Sequence, residues 1–343
     1  MTTLTAPPGK RDTASKLERA EKRMRRRTAV SSNWGLVGRA LLRLVLVVFG
    51  VLTLLFILLQ SSGDPSAVIA GDDSTVEEIE RIRTEYGFDR PMLVQYADYV
   101  WSALHLDFGD SFQLNTPAME LILERLPSTL GLILAAYVVG IGIGMPLGLL
   151  SGLTDNKAFE WVCNMIVLAG QAIPVFVYGV LLVWLFSAQL QWFPALAADG
   201  FGAPPLAIIM PVMTLATGPM AWTLELTRSG IRESMQEDYI RTAESKGVAP
   251  WRVVTRHAVR PVLTSLVTIL GVDLAGLLSG GVLVEVIFAW PGMGPLLVGA
   301  VNNRDYNLVM GATLTFAVIV VLINFAMDLL YRRLDPRTRK NGG

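Results

Sequence analysis

Six stretches of this 343-residue chain are long and apolar enough to cross the hydrocarbon core of a bilayer, roughly 36–60, 127–151, 159–187, 204–227, 261–284 and 307–331. No other feature narrows its fold as much. At a helical rise of about 1.5 Å, about 20 residues span a core of about 30 Å. In hydrocarbon each backbone N–H and C=O must find its partner within the protein, so isolated runs of this length have to be helices. Pro146, Pro174 and Pro211 fall inside them; neighbouring helices can satisfy the groups a proline frees. The expected class is an all-α polytopic membrane protein.

Charge orders these spans. Only 17% of residues are charged, with 29 basic against 29 acidic. With the N-terminus inside, 24 of the 29 basic residues face the cytoplasm and only Arg81, Arg83, Arg90, Arg125 and Arg304 lie outside. That is the positive-inside bias for six spans with both termini cytoplasmic. The polar tail 1–35, with Arg25-Arg26-Arg27, precedes the first apolar run much as in a signal peptide. That run extends from Leu36 to Gln60 with no small-x-small cleavage site after it, so it reads as a retained first span. A single cysteine, Cys163, sits in an apolar run and reads as a small buried hydrophobe. His105 and His257 are far apart, and no cluster has metal-ligand spacing.

Two connections are too long and hydrophilic to be turns. The outer one, 61–126, is rich in Asp and Glu. Ser74 and Glu77 have capping-box spacing, Gly87 closes the helix, and Val76, Ile79, Ile82 and Tyr86 give it an apolar stripe. A second amphipathic segment, Leu93 to Leu104, carries Tyr96, Tyr99 and Trp101, aromatics suited to the membrane–water boundary. The region either caps the outer mouth, meets a partner there, or is solvated surface.

The cytoplasmic connection spans 228–260. Ile231, Met235, Tyr239 and Ala243 recur at helical spacing; Gly247 permits a left-handed turn; Pro250 suits the first position of a new helix. That helix presents Trp251, Val254 and Ala258 on one face and runs to Arg260-Pro261. The expected form is helix, sharp turn, helix. So short an apolar face is expected to have no core of its own in the cytoplasm, which leaves docking on a partner or lying flat on lipid.

Asp238-Tyr239-Ile240-Arg241-Thr242-Ala243-Glu244-Ser245-Lys246-Gly247 resembles the coupling-helix motif of binding-protein-dependent ABC importer permeases. The family pattern is Glu-Ala-Ala, three residues, Gly, nine residues, then Ile-x-Leu-Pro. Ala243 and Gly247 are in register, whereas Arg241 and Thr242 replace Glu and Ala, and His257-Ala258-Val259-Arg260 stands in place of Ile-x-Leu-Pro. These departures are similar to the dipeptide/oligopeptide/nickel subgroup. Tyr86-Gly87-Phe88-Asp89-Arg90-Pro91, Gln95-Tyr96, Phe108-Gly109-Asp110-Ser111, Arg125-Leu126-Pro127-Ser128-Thr129-Leu130, Glu285 to Gly294 and Arg304-Asp305-Tyr306 look like its B-type subunit.

The resemblance implies a type I ABC importer permease fold with six transmembrane helices, an outer helical loop domain and a cytoplasmic coupling helix. Its parts would be a tail 1–35, a first helix 36–60, an outer region 61–126, a five-helix core 127–331 containing the loop 228–260, and a tail 332–343. It also implies a multi-pass place in the bacterial cytoplasmic membrane. A homologous C-type permease would complete the pore, one or two ABC ATPase subunits would dock below, and an extracytoplasmic solute-binding protein would deliver di- or oligopeptides. Asp238, Tyr239, Arg241, Thr242, Ala243, Glu244, Lys246 and Gly247 would sit in a cleft of the ATPase. The chain would be no enzyme and hold no cofactor, ATP and Mg being bound by the ATPase subunits. Consistently, the only Gly-Lys pair, Gly9-Lys10, is followed by Arg11, which is no phosphate loop. Membrane lipid, and no nucleic acid, completes the list of expected partners. Dipeptides, longer peptides, nickel chelates and haem-like cargo all remain open.

Charges in hydrocarbon cost about 2.5–3.5 kcal/mol on insertion scales, so they face a bundle interior or water. Asp273 lies deepest and is the candidate for lining a path or pairing with a neighbour. Glu225 is three residues from Arg228, as in a local ion pair; Glu285 lies near the outer end and Asp328 at the inner interface. Gln171, Asn164 and Asn324 either line a path or bond between helices. Trp290-Pro291-Gly292-Met293-Gly294 forms either a re-entrant turn or a simple loop. Three other classes compete. An ion-gradient-driven secondary transporter would show repeated halves, and no internal repeat is evident. An intramembrane enzyme lacks its Gly-x-Ser-x-Gly or His-Glu-x-x-His motif. A scaffold does not need so many Gly and Pro residues in its spans.

Overall fold

The computed structural model describes residues 38, 41–58, 60–61, 65–70, 74–85, 87–202 and 204–334. The basic tail, Gly9-Lys10 and most of the 332–343 tail lie outside them. Among the described residues the regular elements are all helices, with one isolated bridge, Asp110 to Pro117. Six spans are long and apolar enough to cross a membrane when one bent pair is counted as a single span.

The first span is α1 (Leu41–Leu58). The outer region follows with α2 (Pro65–Ala70), α3 (Val76–Glu85) and α4 (Met92–Leu104). The capping box of α3 is shifted by one residue from the expected Ser74–Glu77. Thr75 N–H donates to Glu78 Oε2 at 3.0 Å and Glu78 N–H donates back to Thr75 Oγ1 at 3.3 Å, whereas the Ser74 hydroxyl turns back to the Ala70 carbonyl. Both residues carry hydroxyls, so spacing alone does not decide between them. Tyr96 and Tyr99 have partners on the first span: Thr53 and Tyr96 hydroxyls meet at 2.7 Å, Gln60 donates to Gln95 at 2.9 Å, and Phe56 packs on both tyrosines. Trp101 alone of the three stays largely exposed. Thus α4 is seated on α1. Burial pushes the Tyr99 phenol above its usual range, so it stays neutral.

The second span, α5 (Ala118–Leu153), begins nine residues before the expected 127 and carries Pro127 and Pro146 inside it. The run expected as one span over 159–187 is broken. α6 (Lys157–Ala172) and α7 (Val175–Leu182), the latter prolonged by a π-turn Val183–Gln189, meet at 112°. Pro174 lacks the N–H for the turn below and drives the preceding residue out of the helical region; Ile173 has ψ 124°. Then come α8 (Pro205–Met235), α9 (Asp238–Ser245), α10 (Pro250–Val253), a π-turn Val254–Ala258, α11 (Val259–Ile287), α12 (Met293–Asn302) and α13 (Tyr306–Leu334). The π-turn, closed by Val259 N–H to Val254 C=O, precedes Pro261, which has no N–H to offer the His257 carbonyl. At ten residues α12 is too short to span, and it occupies ground where the sequence patterning places no helix.

The centre of the fold is the seam between α5 and α8. Gly140, Gly144, Gly148 and Gly152 recur every fourth residue and so share one face. A Cβ on Gly144 would lie 2.5 Å from the Met220 carbonyl oxygen, and one on Gly148 2.5 Å from that of Leu224. Helices in lipid associate through such close backbone approach, since lipid tails are as apolar as leucine and no hydrophobic gain drives them together. Around the seam lie an outer cluster on Phe288 and Trp290, an inner one on Ile231 and Val262, and a third joining α1, α12 and α13.

The outer end of α11 resolves the Trp290–Gly294 question in favour of a buried turn. Trp290 N–H bonds to the Glu285 carbonyl and Ala289 N–H to that of Val286, a Schellman pair with Ala289 at φ 50°. Trp290 is fully buried, its indole N–H 3.3 Å from the Ser128 carbonyl on α5. Glu285, 1% exposed, accepts from Gly294 N–H at 2.6 Å, and Met293 N–H donates to Thr129 at 2.8 Å. Two separate sequence motifs also meet: the Ser111 hydroxyl donates to Asp305, whose other oxygen accepts from Leu308 N–H and so caps α13.

Candidate functional site

The loop 228–260 folds as helix, turn and helix, with its apolar side placed differently from expectation. α8 ends at Met235, and Gln236 and Glu237 form a turn before α9 starts. The break rotates the register. Tyr239, expected on the apolar stripe with Ile231, Met235 and Ala243, points outward at 42% exposure, and Ile240 takes its place inside at 1%. Ile240 and Ala243 pack into the inner cluster with Ile231, Val253, Ala258 and Val262. The expectation that this face lacks a core of its own is therefore overturned: the ends of α8, α10 and α11 supply one. Val253, rather than Trp251 or Val254, joins Ala258 inside; Trp251 is exposed with the Arg252 guanidinium 5.1 Å above its ring.

The far end of α9 is closed by a Schellman motif. Gly247 N–H bonds to the Glu244 carbonyl at 2.9 Å and Val248 N–H to that of Ala243 at 3.2 Å. Gly247 has φ 71°, and nothing lies within 4 Å of a Cβ built there, so backbone conformation and not crowding requires glycine. Of the eight sequence-predicted coupling residues, Ala243 is buried and Asp238, Tyr239, Arg241, Thr242, Glu244, Lys246 and Gly247 are exposed on one short element. Arg241 lies 3.8 Å from Asp238, both well exposed, so their pairing is weak and leaves both charges available. α9 thus presents a polar surface with one phenol, its apolar side buried in the chain's own core.

The three path candidates lie on two helices, Asp273 on α11 and Asn164 with Gln171 on α6. Asp273 on α11 faces α5, where the Tyr137 hydroxyl is 2.9 Å from its Oδ2 and 2.9 Å from the Leu270 carbonyl. Asn164 on α6 accepts a hydrogen bond from Arg228 of α8, and Arg228 also pairs with Glu225 as its spacing indicates. Gln171 is exposed on the last turn of α6, next to the bend. Among the polar pairs absent from the sequence reading is Arg232 on α8 with Glu160 on α6 at 2.9 Å. The two residues are 72 apart, and only the fold brings them together. Asp328, exposed at the inner end of α13, pairs with Arg43 of α1 at 3.4 Å. No group of His, Cys, Asp and Glu suited to a metal occurs among the described residues.

The comparisons agree with this architecture. The family model for the binding-protein-dependent transport system inner membrane component matches residues 144–340, and that for its N-terminal part matches 35–133. A Brucella abortus protein provisionally named as a peptide transport system permease is 39% identical over 299 residues, 86% of this chain and 95% of that one. The dipeptide transport system permease protein of Bacillus subtilis is 35% identical, covering 84% and 92%. The glutathione transport system permease protein of Escherichia coli K12 is 33% identical, covering 88% and 97%. The methionine ABC transporter MetNI, in an inward-facing form, matches in fold with TM-score 0.51 at 19% identity, over 63% of this chain and 97% of that one. The chain belongs to the inner-membrane permease components of binding-protein-dependent ABC import systems.

Proposed function

We propose that this chain is the B-type half of a peptide-importing pore, driven through α9 by ATPase subunits. The observation that carries the proposal is the stance of α9: its apolar face is already filled by the chain's own helices, while its charged face and Tyr239 stand free at the cytoplasmic end. A helix held so firmly from behind transmits a push instead of absorbing it. Asp238, Arg241, Glu244 and Lys246 offer both signs of charge to a cleft on the motor, and Tyr239 offers an anchor. ATP and Mg belong to the motor, a C-type permease completes the pore, and a solute-binding protein presents cargo from outside. Both termini are placed in the cytoplasm, a reading the distribution of Lys and Arg supports. Di- or oligopeptide cargo is supported by the names of the full-length relatives.

Reconstitution of the assembled complex in liposomes tests this. ATP-dependent dipeptide uptake is expected, and Tyr239→Ala with Arg241→Ala is expected to lower it by about tenfold or more while the permease still inserts. Uptake by the chain alone, or an assembled complex in which 238–247 touches only water or lipid, refutes the reading.

A further inference from the structure

We infer that Arg228 and Arg232 are positioning residues that make α6 travel with α8, so that a push on α9 arrives at the bend between α6 and α7. The inference rests on the permease reading and adds the route by which motion leaves the docking helix.

The geometry is a two-rung clamp. Arg232 Nη1 donates to Glu160 at 2.9 Å while its Nη2 reaches the Ser151 carbonyl of α5 at 3.3 Å. One turn deeper, Arg228 donates to Asn164 and pairs with Glu225. The arginines are four apart on α8 and their partners four apart on α6, so each set shares a face and the rungs stack. The Arg228 side chain is only 12% exposed. A charge so enclosed holds its partners more firmly than a surface pair, because losing one leaves it uncompensated away from water. A third contact lies further along: a Cβ on Gly170 would sit 2.6 Å from Ala221 Cβ and 2.8 Å from the Thr217 carbonyl. α6 therefore adheres to α8 from its first turn to its last, and the bend follows within two residues.

The input end is equally direct. Ile231, which shares the inner buried cluster with Ile240 and Ala243 of α9, is adjacent to Arg232. Displacement of α9 moves the end of α8, the clamp carries α6 with it, and the hinge at Ile173-Pro174 takes up the change in angle.

The test uses the complete assembly in liposomes, with Cys163→Ala as background. Glu160→Cys and Arg232→Cys are joined by a short bifunctional thiol reagent. The joined complex is expected to retain ATP-dependent uptake within about twofold, because the link replaces an ionic tie between parts that do not separate. Arg232→Gln and Glu160→Gln are each expected to lower uptake per ATP hydrolysed by up to about fivefold, since this rung is 41% and 32% exposed. The exchanged pair, Glu160→Arg with Arg232→Glu, restores it, which a purely local folding role for either residue would not predict. Uptake abolished by the link while hydrolysis continues overturns the inference, as does unchanged coupling in both single variants. Failure of the unmodified complex to import anything strikes the permease reading itself; normal import there with a dead linked variant strikes the clamp alone.

Discussion

Two glycines two residues apart on α5, and so on opposite faces of the helix, should respond to the same substitution with opposite sign. Gly144 faces α8, and a Cβ there would meet the Met220 carbonyl oxygen at 2.5 Å and Thr223 Cβ at 3.1 Å. Gly142 has nothing within 4 Å. Gly→Ala gains up to about 1 kcal/mol of helix propensity at either position. At Gly144 the oxygen must retreat by about 0.9 Å to reach the 3.4 Å at which ordinary contact begins. Because it belongs to a helix backbone, α8 moves as a whole. A gap of 0.5–1 Å forfeits about a quarter to a half of the dispersion well for each atom pair opened, and neighbouring approaches at Gly140 and Gly148 lose contact too. Overpacking of this kind costs about 1–3 kcal/mol. Gly142→Ala is therefore expected to be neutral or slightly stabilising, and Gly144→Ala destabilising. At about 2–4 °C per kcal/mol for domains of 150–250 residues, their thermal midpoints in detergent should separate by several degrees. Equal midpoints, or Gly144→Ala the more stable of the two, would refute the close-packed seam.

Gly247→Val places a β-branched residue at φ 71°; at a cost of about 1–2 kcal/mol it should unwind the end of α9 and lower uptake per ATP hydrolysed, measured on the reconstituted complex, while leaving the thermal midpoint of the membrane core nearly unchanged. Glu285→Ala leaves the Gly294 N–H without its acceptor and should cost about 1–3 kcal/mol, whereas Glu285→Gln keeps an acceptor and should cost less, as thermal denaturation will show. In the outer region, hydrogen bonds from the Thr75 backbone and hydroxyl hold the Glu78 carboxyl below its ordinary 4.5. A group whose folded value is depressed stabilises fully above its unfolded value and loses that contribution as pH falls through the folded one. Amide exchange of α3 should therefore quicken, beyond the intrinsic rate, as pH drops below about 4.5, and Thr75→Ala should flatten that dependence.

The spans, the outer region and the Gly247 turn were legible because each rests on a local rule: length of apolar run, balance of Lys and Arg, a residue that tolerates positive φ. What escaped depends on which neighbour a residue meets. Residues 159–187 are apolar enough to read as one rod, and Pro174 marks a breaker without giving the angle, which follows from where α7 packs against α8 and α11. Glycines in membrane spans are common, so the four-residue spacing from Gly140 to Gly152 carries meaning only once α8 lies against it. Arg232 looks like one more cytoplasmic positive charge, counted for topology, until α6 brings Glu160 to it.

The α9 reversal has a single cause, the two-residue turn at Gln236-Glu237. A continuous helix would carry Ile231, Met235, Tyr239 and Ala243 down one face, and that face would have to seek an apolar partner. Restarting the helix at Asp238 shifts the phase so that Ile240 and Ala243 face home and Tyr239 faces away. The physical consequence differs from that of an exposed apolar stripe. A greasy helix awaiting a partner would be unstable when unassembled and would bind through area. A helix already satisfied from behind can keep its shape without the motor and meet it through charge and one aromatic anchor. It follows that raising ionic strength should weaken attachment of the ATPase subunits more than deletion of buried methyl groups in α9 does directly. Ile240→Ala, which empties a position behind the helix, should uncouple the machine while leaving the motor bound. Sedimentation of the complex at low and high salt, alongside uptake per ATP hydrolysed for Ile240→Ala, separates the two pictures: loss of the motor from the Ile240→Ala complex would show that the apolar side is the docking face after all.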